Sequence, residues 1–181
     1  MHISRDHWLT RTRRRPSPNR DPRPDPADVS LLVIHGISLP PGRFGTGLVE
    51  ALFLNRLEVD ADPRLADLEG VRVSAHLLIE RRGRVTQFVP FHERAWHAGV
   101  SNWQGREGCN DFAIGIELEG TDDRAYTRAQ YRRLAAVIKA LLARYPRLSR
   151  GAIVGHQEVA PGRKTDPGGG FDWPALLGGL W

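Results

Sequence analysis

The chain has 181 residues, of which 40% are hydrophobic, so it is long enough for one hydrophobic core and short for two. It has no apolar run near the roughly 20 residues that a membrane span needs, and its charged first residues lack the apolar segment of a signal peptide. The single cysteine, Cys109, excludes an internal disulfide framework and fits a reducing compartment. We therefore expect one globular domain with a cytoplasmic location and no membrane partner.

The formal charge of +5 and the isoelectric point of about 10.1 would suit a protein that binds polyanions. An arginine-rich stretch at 11–24 has the composition of a basic arm. Arginine, however, is used in place of lysine along the whole chain, and only two lysines are present, which is typical of a compositional habit. We therefore expect no nucleic-acid partner. The rival hypothesis of nucleic-acid binding would require phosphate binding that falls steeply with salt.

The N-terminal part of the sequence predicts an arm followed by the first strand of a domain. Residues 1–28 are polar and proline-rich, and we expect them to pack as an arm on a domain formed by residues 29–181. The apolar run 29–35 is too short for a helix and is typical of a central strand that is buried on both faces. This strand ends on His35. A loop and a short helix over 49–57 are expected next.

Two further strand patterns occupy the middle of the chain. Residues 71–80 and 84–90 flank an Arg-Arg-Gly turn and predict a β-hairpin. Residues 112–120 alternate along a strand, with Ile114, Ile116 and Leu118 on one face and with Gly115, Glu117 and Glu119 on the other. A carboxylate beside a glycine indicates open space on that face.

The clearest helix begins at Thr127, which can form a capping box with Gln130, and it stops at Pro146. Its apolar residues recur at helical spacing and form one stripe. A short strand over 152–156 follows and ends on His156. Strands and helices interleaved in this way predict an α/β fold, a single-domain mixed β-sheet flanked by helices.

Two histidines indicate a metal site, because His35 and His156 both end short apolar strands, where α/β proteins usually bind ligands. A catalytic zinc takes three protein ligands and keeps one position open, and two histidines with one carboxylate are a known set. Asp166 or Glu158 can complete this set, and Cys109 is a third choice. We favour Asp166, because the Pro-Gly turn after it can direct its short side chain back toward His156. Glu158 lies only two residues from that histidine.

Metal-assisted hydrolysis needs two more groups. A carboxylate must take a proton from water and pass it to the leaving group, and Glu117 can do this at a fixed distance from its strand. A cation must lie near the developing oxyanion, and Lys164 is the candidate because it precedes Asp166 by two residues. The alternatives are a strand glutamate that is exposed or in an ion pair, and a solvated loop lysine.

Three segments resemble a known family: HGISLPPGRFG at 35–45, the stretch 72–122 with AWHAG and FAIGIELEG, and GHQEVAPGRKTDPGGGFDW at 155–173. They resemble the zinc-dependent N-acetylmuramoyl-L-alanine amidases of the AmpD type, specifically the cytoplasmic 1,6-anhydro-N-acetylmuramyl-L-alanine amidases of peptidoglycan recycling. The resemblance implies a fold like that of peptidoglycan-recognition proteins and one zinc ion on His35, His156 and Asp166. It also implies Glu117 as catalytic carboxylate and Lys164 beside the oxyanion.

The substrate implied by the resemblance is a small glycopeptide, cleaved at the amide between the lactyl group of a muramyl sugar and L-alanine of the stem peptide. We expect the enzyme to act as a monomer. The side chains expected to contact the substrate are Trp96, His97, Arg72 and Arg106. The chain departs from the family pattern at Gly36, where cytoplasmic relatives usually have Asn, and at Gly108, where Arg is common.

The main alternative hypothesis is that the protein is a binding module. Peptidoglycan-recognition relatives share this architecture, but some lack a complete metal set and hold the glycan peptide without cutting it. The chain has all five residues of the hydrolytic set, which favours the enzyme.

Overall fold

The structure, a computed structural model, describes residues 1–180. The strands in these residues are Arg13–Arg14 (β1), Arg20–Pro22 (β2), Leu31–Ile37 (β3), Leu77–Ile79 (β4), Val85–Gln87 (β5), Glu93–Ala95 (β6), Asn102–Trp103 (β7), Arg106–Glu107 (β8), Ala113–Glu119 (β9) and Ile153–Gly155 (β10). The α-helices are Leu48–Phe53 (α1), Arg128–Arg144 (α2), His156–Val159 (α3) and Trp173–Gly178 (α4). Short 3₁₀ helices cover Val59–Ala61, Pro63–Leu68, Cys109–Asp111 and Arg150–Ala152.

Six of the strands form the main sheet, in the spatial order β1-β5-β4-β9-β3-β10. The central strand β9 pairs in parallel with β3 and with β4, and β3 pairs in parallel with β10. The β4–β5 hairpin is antiparallel, so the sheet is mixed. The predicted α/β fold with a mixed sheet and helices is confirmed, and so is the hairpin.

The two faces of the sheet are covered by different layers, and the alternation of β3 and β9 decides which residues face each layer. Their even-numbered residues, such as Leu32 and Ile116, join the large core that contains the apolar stripe of α2. Leu31, Val33 and Ala113 belong to a separate cluster on the opposite face. His35, Gly115 and Glu117 share the odd-numbered face by the two-residue period. The candidate chemistry therefore lies on the side of the sheet away from α2.

Helix α2 shows why local sequence signals predict some elements well. The Thr127 side chain accepts the N–H of Gln130, and the Gln130 side chain accepts the N–H of Thr127, so the predicted capping box is confirmed. The Gln130 side chain is fully buried, and its amide is satisfied there because it also donates to the carbonyls of Ile79 and Glu119. No helix within residues 1–180 is both long and apolar enough to cross a membrane.

Several predicted element boundaries are wrong. Only Leu77–Ile79 of the predicted strand 71–80 forms a strand of the sheet. Ser74 instead donates its N–H to the carbonyl of Trp96. The predicted helix over 49–57 ends at Phe53. His156 does not end a strand but begins α3, because the chain turns directly after Gly155.

The N-terminal residues contact the rest of the protein through backbone pairing and one buried arginine. Strand β1 pairs with β5, and β2 pairs with β6. Arg23 is only 3% exposed, and its guanidinium donates to the carbonyls of Phe91, Asn110, Asp111 and Ala113 at 2.7–3.2 Å. Arg23 therefore connects the arm to the chain that leads into β9. The division of the chain at residue 28 stays a prediction.

We expect Arg23→Met to destabilise the protein by about 3 kcal/mol or more, because it leaves several buried carbonyl oxygens without a donor. Urea unfolding followed by circular dichroism measures this change. Arg5→Met is the matched control, since Arg5 is exposed in the same arm and its replacement should change stability by less than about 0.5 kcal/mol. Equal midpoints for the two variants would contradict the role given to Arg23.

Candidate metal centre

Adjacent strands bring the candidate residues to one edge of the sheet. In the β3–β9 pair, His35 stands directly beside Glu117. Strand β10 lies on the other side of β3 and leads into His156 at the start of α3. Asp166 returns to this position from the loop after α3, where its backbone carbonyl accepts the N–H of Gln157 at 3.0 Å.

The side chains of His35, His156 and Asp166 converge, each offering one atom that lies within 4.8 Å of the others. The two Nδ1 atoms are 3.0 Å apart. Asp166 Oδ1 lies 3.1 Å from Nδ1 of His156, and Asp166 Oδ2 lies 3.4 Å from Nδ1 of His35. A tetrahedral zinc with bonds of about 2.0–2.1 Å separates its ligand atoms by roughly 3.3 Å, so these three groups fit a zinc ion in spacing and in donor type.

The protonation states of these groups also suit a metal. Burial lowers the pKa of His35 to about 4, so the ring is neutral at physiological pH. Burial alone raises the pKa of Asp166, but hydrogen bonds with His156 and His35 outweigh burial, and the pKa lies below its ordinary value. A neutral imidazole and an ionised carboxylate are the forms that bind divalent metals.

Close packing fixes the loop that carries Asp166. The N–H of Gly36 donates to Asp166 Oδ2 at 3.3 Å, and the Tyr126 hydroxyl donates to the carbonyl of Pro167 at 3.1 Å. Gly168 has a φ of 74°, and a Cβ there would lie 2.2 Å from the Cα of Asp122. Only glycine fits this position, and the turn directs Asp166 toward the histidines as the sequence predicted.

Glu117 is a buried carboxylate next to the converging groups. Its Oε1 lies 3.9 Å from Nδ1 of His35, and its Oε2 has no hydrogen-bond partner within residues 1–180. Burial raises the pKa of Glu117 well above its ordinary value, and the charge of Asp166 raises it further, while Lys164 opposes both. The alternative of an exposed or ion-paired strand glutamate is wrong. Open space does adjoin Glu117, which lines a cavity, but the ring of His97 fills the space at Gly115 itself.

A cavity of about 250 Å³ opens onto these groups. Glu117, His156 and Asp166 line it together with Lys164. The opposite wall is apolar and consists of Ile37, Leu52, Phe53, Leu68, Val71 and Val73. A larger cavity of about 500 Å³ lies elsewhere, between Phe44 and the Arg81–Arg84 turn, and none of the converging groups lines it. The smaller cavity is therefore the candidate active site.

The four predicted substrate contacts divide into two groups. Trp96 and His97 line the candidate cavity. Arg72 lines a neighbouring cavity of about 170 Å³ instead. The Arg106 guanidinium pairs with Asp28 at 2.5 Å and lies over the ring of Phe112, so it does not line the candidate cavity. The contact of each side chain with substrate stays a prediction.

The two alternative ligands lie outside the cluster. Within residues 1–180, His35, His156 and Asp166 are the only group of three His, Cys, Asp or Glu side chains that could hold a metal together. Glu158 is exposed on α3, and Cys109 is buried in an apolar cluster, where burial raises the pKa of its thiol.

Sequence reasoning missed the side chains that support this site. The sequence does not predict that Tyr126 bonds the loop that carries Asp166, or that Asn110 bonds the backbone of His97 and Ala98. Both residues act through long-range contacts. One signal was available for Tyr126, since glycines follow both His35 and Glu119 and leave room for a large ring.

The chain is similar in sequence to known amidases. The sequence pattern of the N-acetylmuramoyl-L-alanine amidase family matches residues 25–169. The 1,6-anhydro-N-acetylmuramyl-L-alanine amidase AmpD of Salmonella typhimurium (strain SL1344) is 59% identical over 167 residues, which are 92% of this chain and 89% of the relative.

Two solved structures are similar over nearly the whole chain. A crystal structure of a selenomethionine AmpD derivative superposes with a TM-score of 0.96 at 54% identity and covers 100% of both chains. The amidase AmiD from E. coli, in complex with the substrate anhydro-N-acetylmuramic acid-L-Ala-D-γ-Glu-L-Lys, has a TM-score of 0.62 at 29% identity and covers 98% of this chain and 65% of AmiD. The chain belongs to the N-acetylmuramoyl-L-alanine amidase family.

Proposed function

We propose that this protein hydrolyses the amide between the lactyl group of 1,6-anhydro-N-acetylmuramic acid and L-alanine of the stem peptide, as part of cytoplasmic peptidoglycan recycling. The observation that carries the proposal is the convergence of His35, His156 and Asp166 beside Glu117, at a cavity that Glu117, His156 and Asp166 line. The names of the AmpD and AmiD relatives support the substrate class, a small anhydromuramyl peptide.

His35, His156 and Asp166 would hold one zinc ion. Two imidazoles and one carboxylate are a ligand set known from catalytic zinc sites. A zinc ion bound there lowers the pKa of water to about 7 and acts as a Lewis acid toward the substrate carbonyl.

Glu117 would move the proton in this reaction. Its raised pKa makes the carboxylate a better proton acceptor at neutral pH than an exposed glutamate. The unpartnered Oε2 is free to accept a proton from the attacking water and to deliver it to the departing amine of L-alanine. The short reach from a rigid strand keeps this transfer at a fixed distance.

Lys164 would stabilise the developing negative charge. Lys164 is exposed on its loop, but it lines the same cavity as Glu117 and Asp166, so its ammonium group can approach the developing oxyanion. Trp96 also lines this cavity. The five hydrolytic side chains come from one chain, which supports activity as a monomer.

We expect the purified protein to cleave an anhydromuramyl tripeptide, and we expect a zinc chelator to abolish this activity until zinc is restored. Ordinary muramyl tripeptide, assayed in parallel by liquid chromatography of the released peptide, measures the sugar preference. Binding of the glycopeptide without any cleavage at saturating zinc would instead favour a recognition module.

Glu117→Gln should keep bound zinc while turnover falls by about 10²–10⁴-fold, because the amide cannot accept the proton. Asp166→Ala should lose zinc itself, because one ligand is removed. Atomic absorption measures the metal, and the tripeptide assay measures turnover. Glu119→Gln is the matched control on the same strand, since Glu119 lines the other cavity and should leave turnover near the wild-type value. Wild-type turnover in Glu117→Gln would refute the proton-transfer role.

Lys164→Met should reduce kcat by about 10²–10³-fold with zinc retained, since it removes the cation near the oxyanion. Lys139→Met removes the only other lysine of the chain, an exposed residue on α2, and should leave kcat unchanged. Equal kcat values for the two variants would show that Lys164 is a solvated loop lysine.

A further inference from the structure

The dipeptide His97–Ala98 touches both imidazoles of the candidate metal centre. Nδ1 of His97 lies 3.0 Å from Nε2 of His35. The carbonyl oxygen of Ala98 lies 3.4 Å from Nε2 of His156. Two neighbouring residues of one loop thus face the ring nitrogens that point away from Asp166.

The convergence of the ligand atoms decides which nitrogen donates and which accepts in these hydrogen bonds. Both histidines present Nδ1 to Asp166, so each neutral ring that binds a metal through Nδ1 carries its proton on Nε2. The Nε2–H of His35 can then donate only to Nδ1 of His97. A histidine ligand holds its tautomer and orientation through a hydrogen bond of this kind.

Packing holds the His97 ring for this contact. A Cβ on Gly115 would lie 2.4 Å from Cγ of His97, so the ring sits directly against the glycine backbone. The rings of His35 and His97 meet edge to face at 84°, with centroids 5.0 Å apart. Nε2 of His97 is buried and has no partner within residues 1–180. The ring is therefore placed to use its Nδ1 on His35, and Nε2 is not exposed to the cavity.

The backbone of the dipeptide is fixed as well. Oδ1 of Asn110 accepts the N–H of His97 at 3.0 Å and the N–H of Ala98 at 2.8 Å. The carbonyl of Asn110 in turn accepts the Arg23 guanidinium at 3.0 Å. A continuous set of hydrogen bonds thus connects the buried arginine of the arm with the two imidazoles.

We propose that His97 is a positioning residue whose Nδ1 accepts the Nε2–H of His35 and so fixes Nδ1 of His35 as the metal ligand. This role rests on the proposed zinc site. This role differs from the sequence prediction that His97 contacts the substrate. Loss of this hydrogen bond should change the affinity for zinc, which can be measured without substrate.

Two substitutions separate the hydrogen bond from the packing of the ring. His97→Phe keeps the ring but has no acceptor, and it should weaken zinc binding by about 10–100-fold. His97→Asn loses ring volume but places Oδ1 near the position of Nδ1, and it should bind zinc more tightly than His97→Phe. Competition with a chromophoric chelator measures the dissociation constants, and urea unfolding of the metal-free proteins checks that each variant folds.

A spectroscopic readout tests the bond itself. In zinc-loaded wild-type protein, nitrogen-15 NMR should show the Nε2–H of His35 as a slowly exchanging signal, which His97→Phe should lose and His97→Asn should keep. His92→Phe is the control. His92 is also partly buried, and its Nδ1 has no hydrogen-bond partner within residues 1–180. Its ring, however, packs on His7 of the arm. This variant should leave both readouts unchanged.

The outcomes distinguish this inference from the function on which it rests. Zinc affinity in His97→Phe equal to that of the wild type, or a larger loss in His97→Asn than in His97→Phe, would overturn the positioning role. A wild-type protein that binds no zinc, or that hydrolyses the tripeptide equally well without metal, would instead overturn the proposed function.

Discussion

The parallel register between β3 and β9 is the constraint on which the site depends, because it places His35 beside Glu117. A slip of one residue would turn every side chain of one strand to the opposite face and would put one of these residues into the core against α2. The register is secured by two buried apolar faces, since Leu32 and Ile116 pack on one side and Leu31 and Ala113 on the other. The stability of the sheet and the geometry of the site therefore have the same origin.

Two carboxylates share the candidate cavity, and their pKa values are shifted in opposite directions. Hydrogen bonds with two imidazoles keep the pKa of Asp166 below its ordinary value, whereas burial without a hydrogen-bond partner for Oε2 raises the pKa of Glu117. Environments that separate the pKa values of two acids also separate their roles, since one carboxylate stays charged while the other can exchange a proton. Lys164 lowers the pKa of Glu117 and limits the separation.

Local sequence patterns predicted where some site residues lie. They did not predict the positions of residues that depend on tertiary contacts. Period-two alternation assigned Glu117 to the correct face of β9, and the glycine-rich turn indicated the return of Asp166 toward His156. The same alternation could not show what covers that face, so the ring of His97 against Gly115 was not foreseen. The strand predicted over 71–76 also failed, because the ladder pairs with β9 are confined to Leu77–Ile79 of this stretch.

Packing around Tyr126 explains why glycine follows the first candidate ligand. A Cβ at Gly36 would lie 2.3 Å from the tyrosine hydroxyl, and a Cβ at Gly120 would lie 2.3 Å from its ring. The ring thus lies against the backbone at the ends of β3 and β9, and its hydroxyl donates to the carbonyl of Pro167. A side chain at position 36 and the present position of Tyr126 exclude each other. Gly36 thus leaves free the space that the tyrosine occupies, and from this position Tyr126 can bond the loop that holds Asp166.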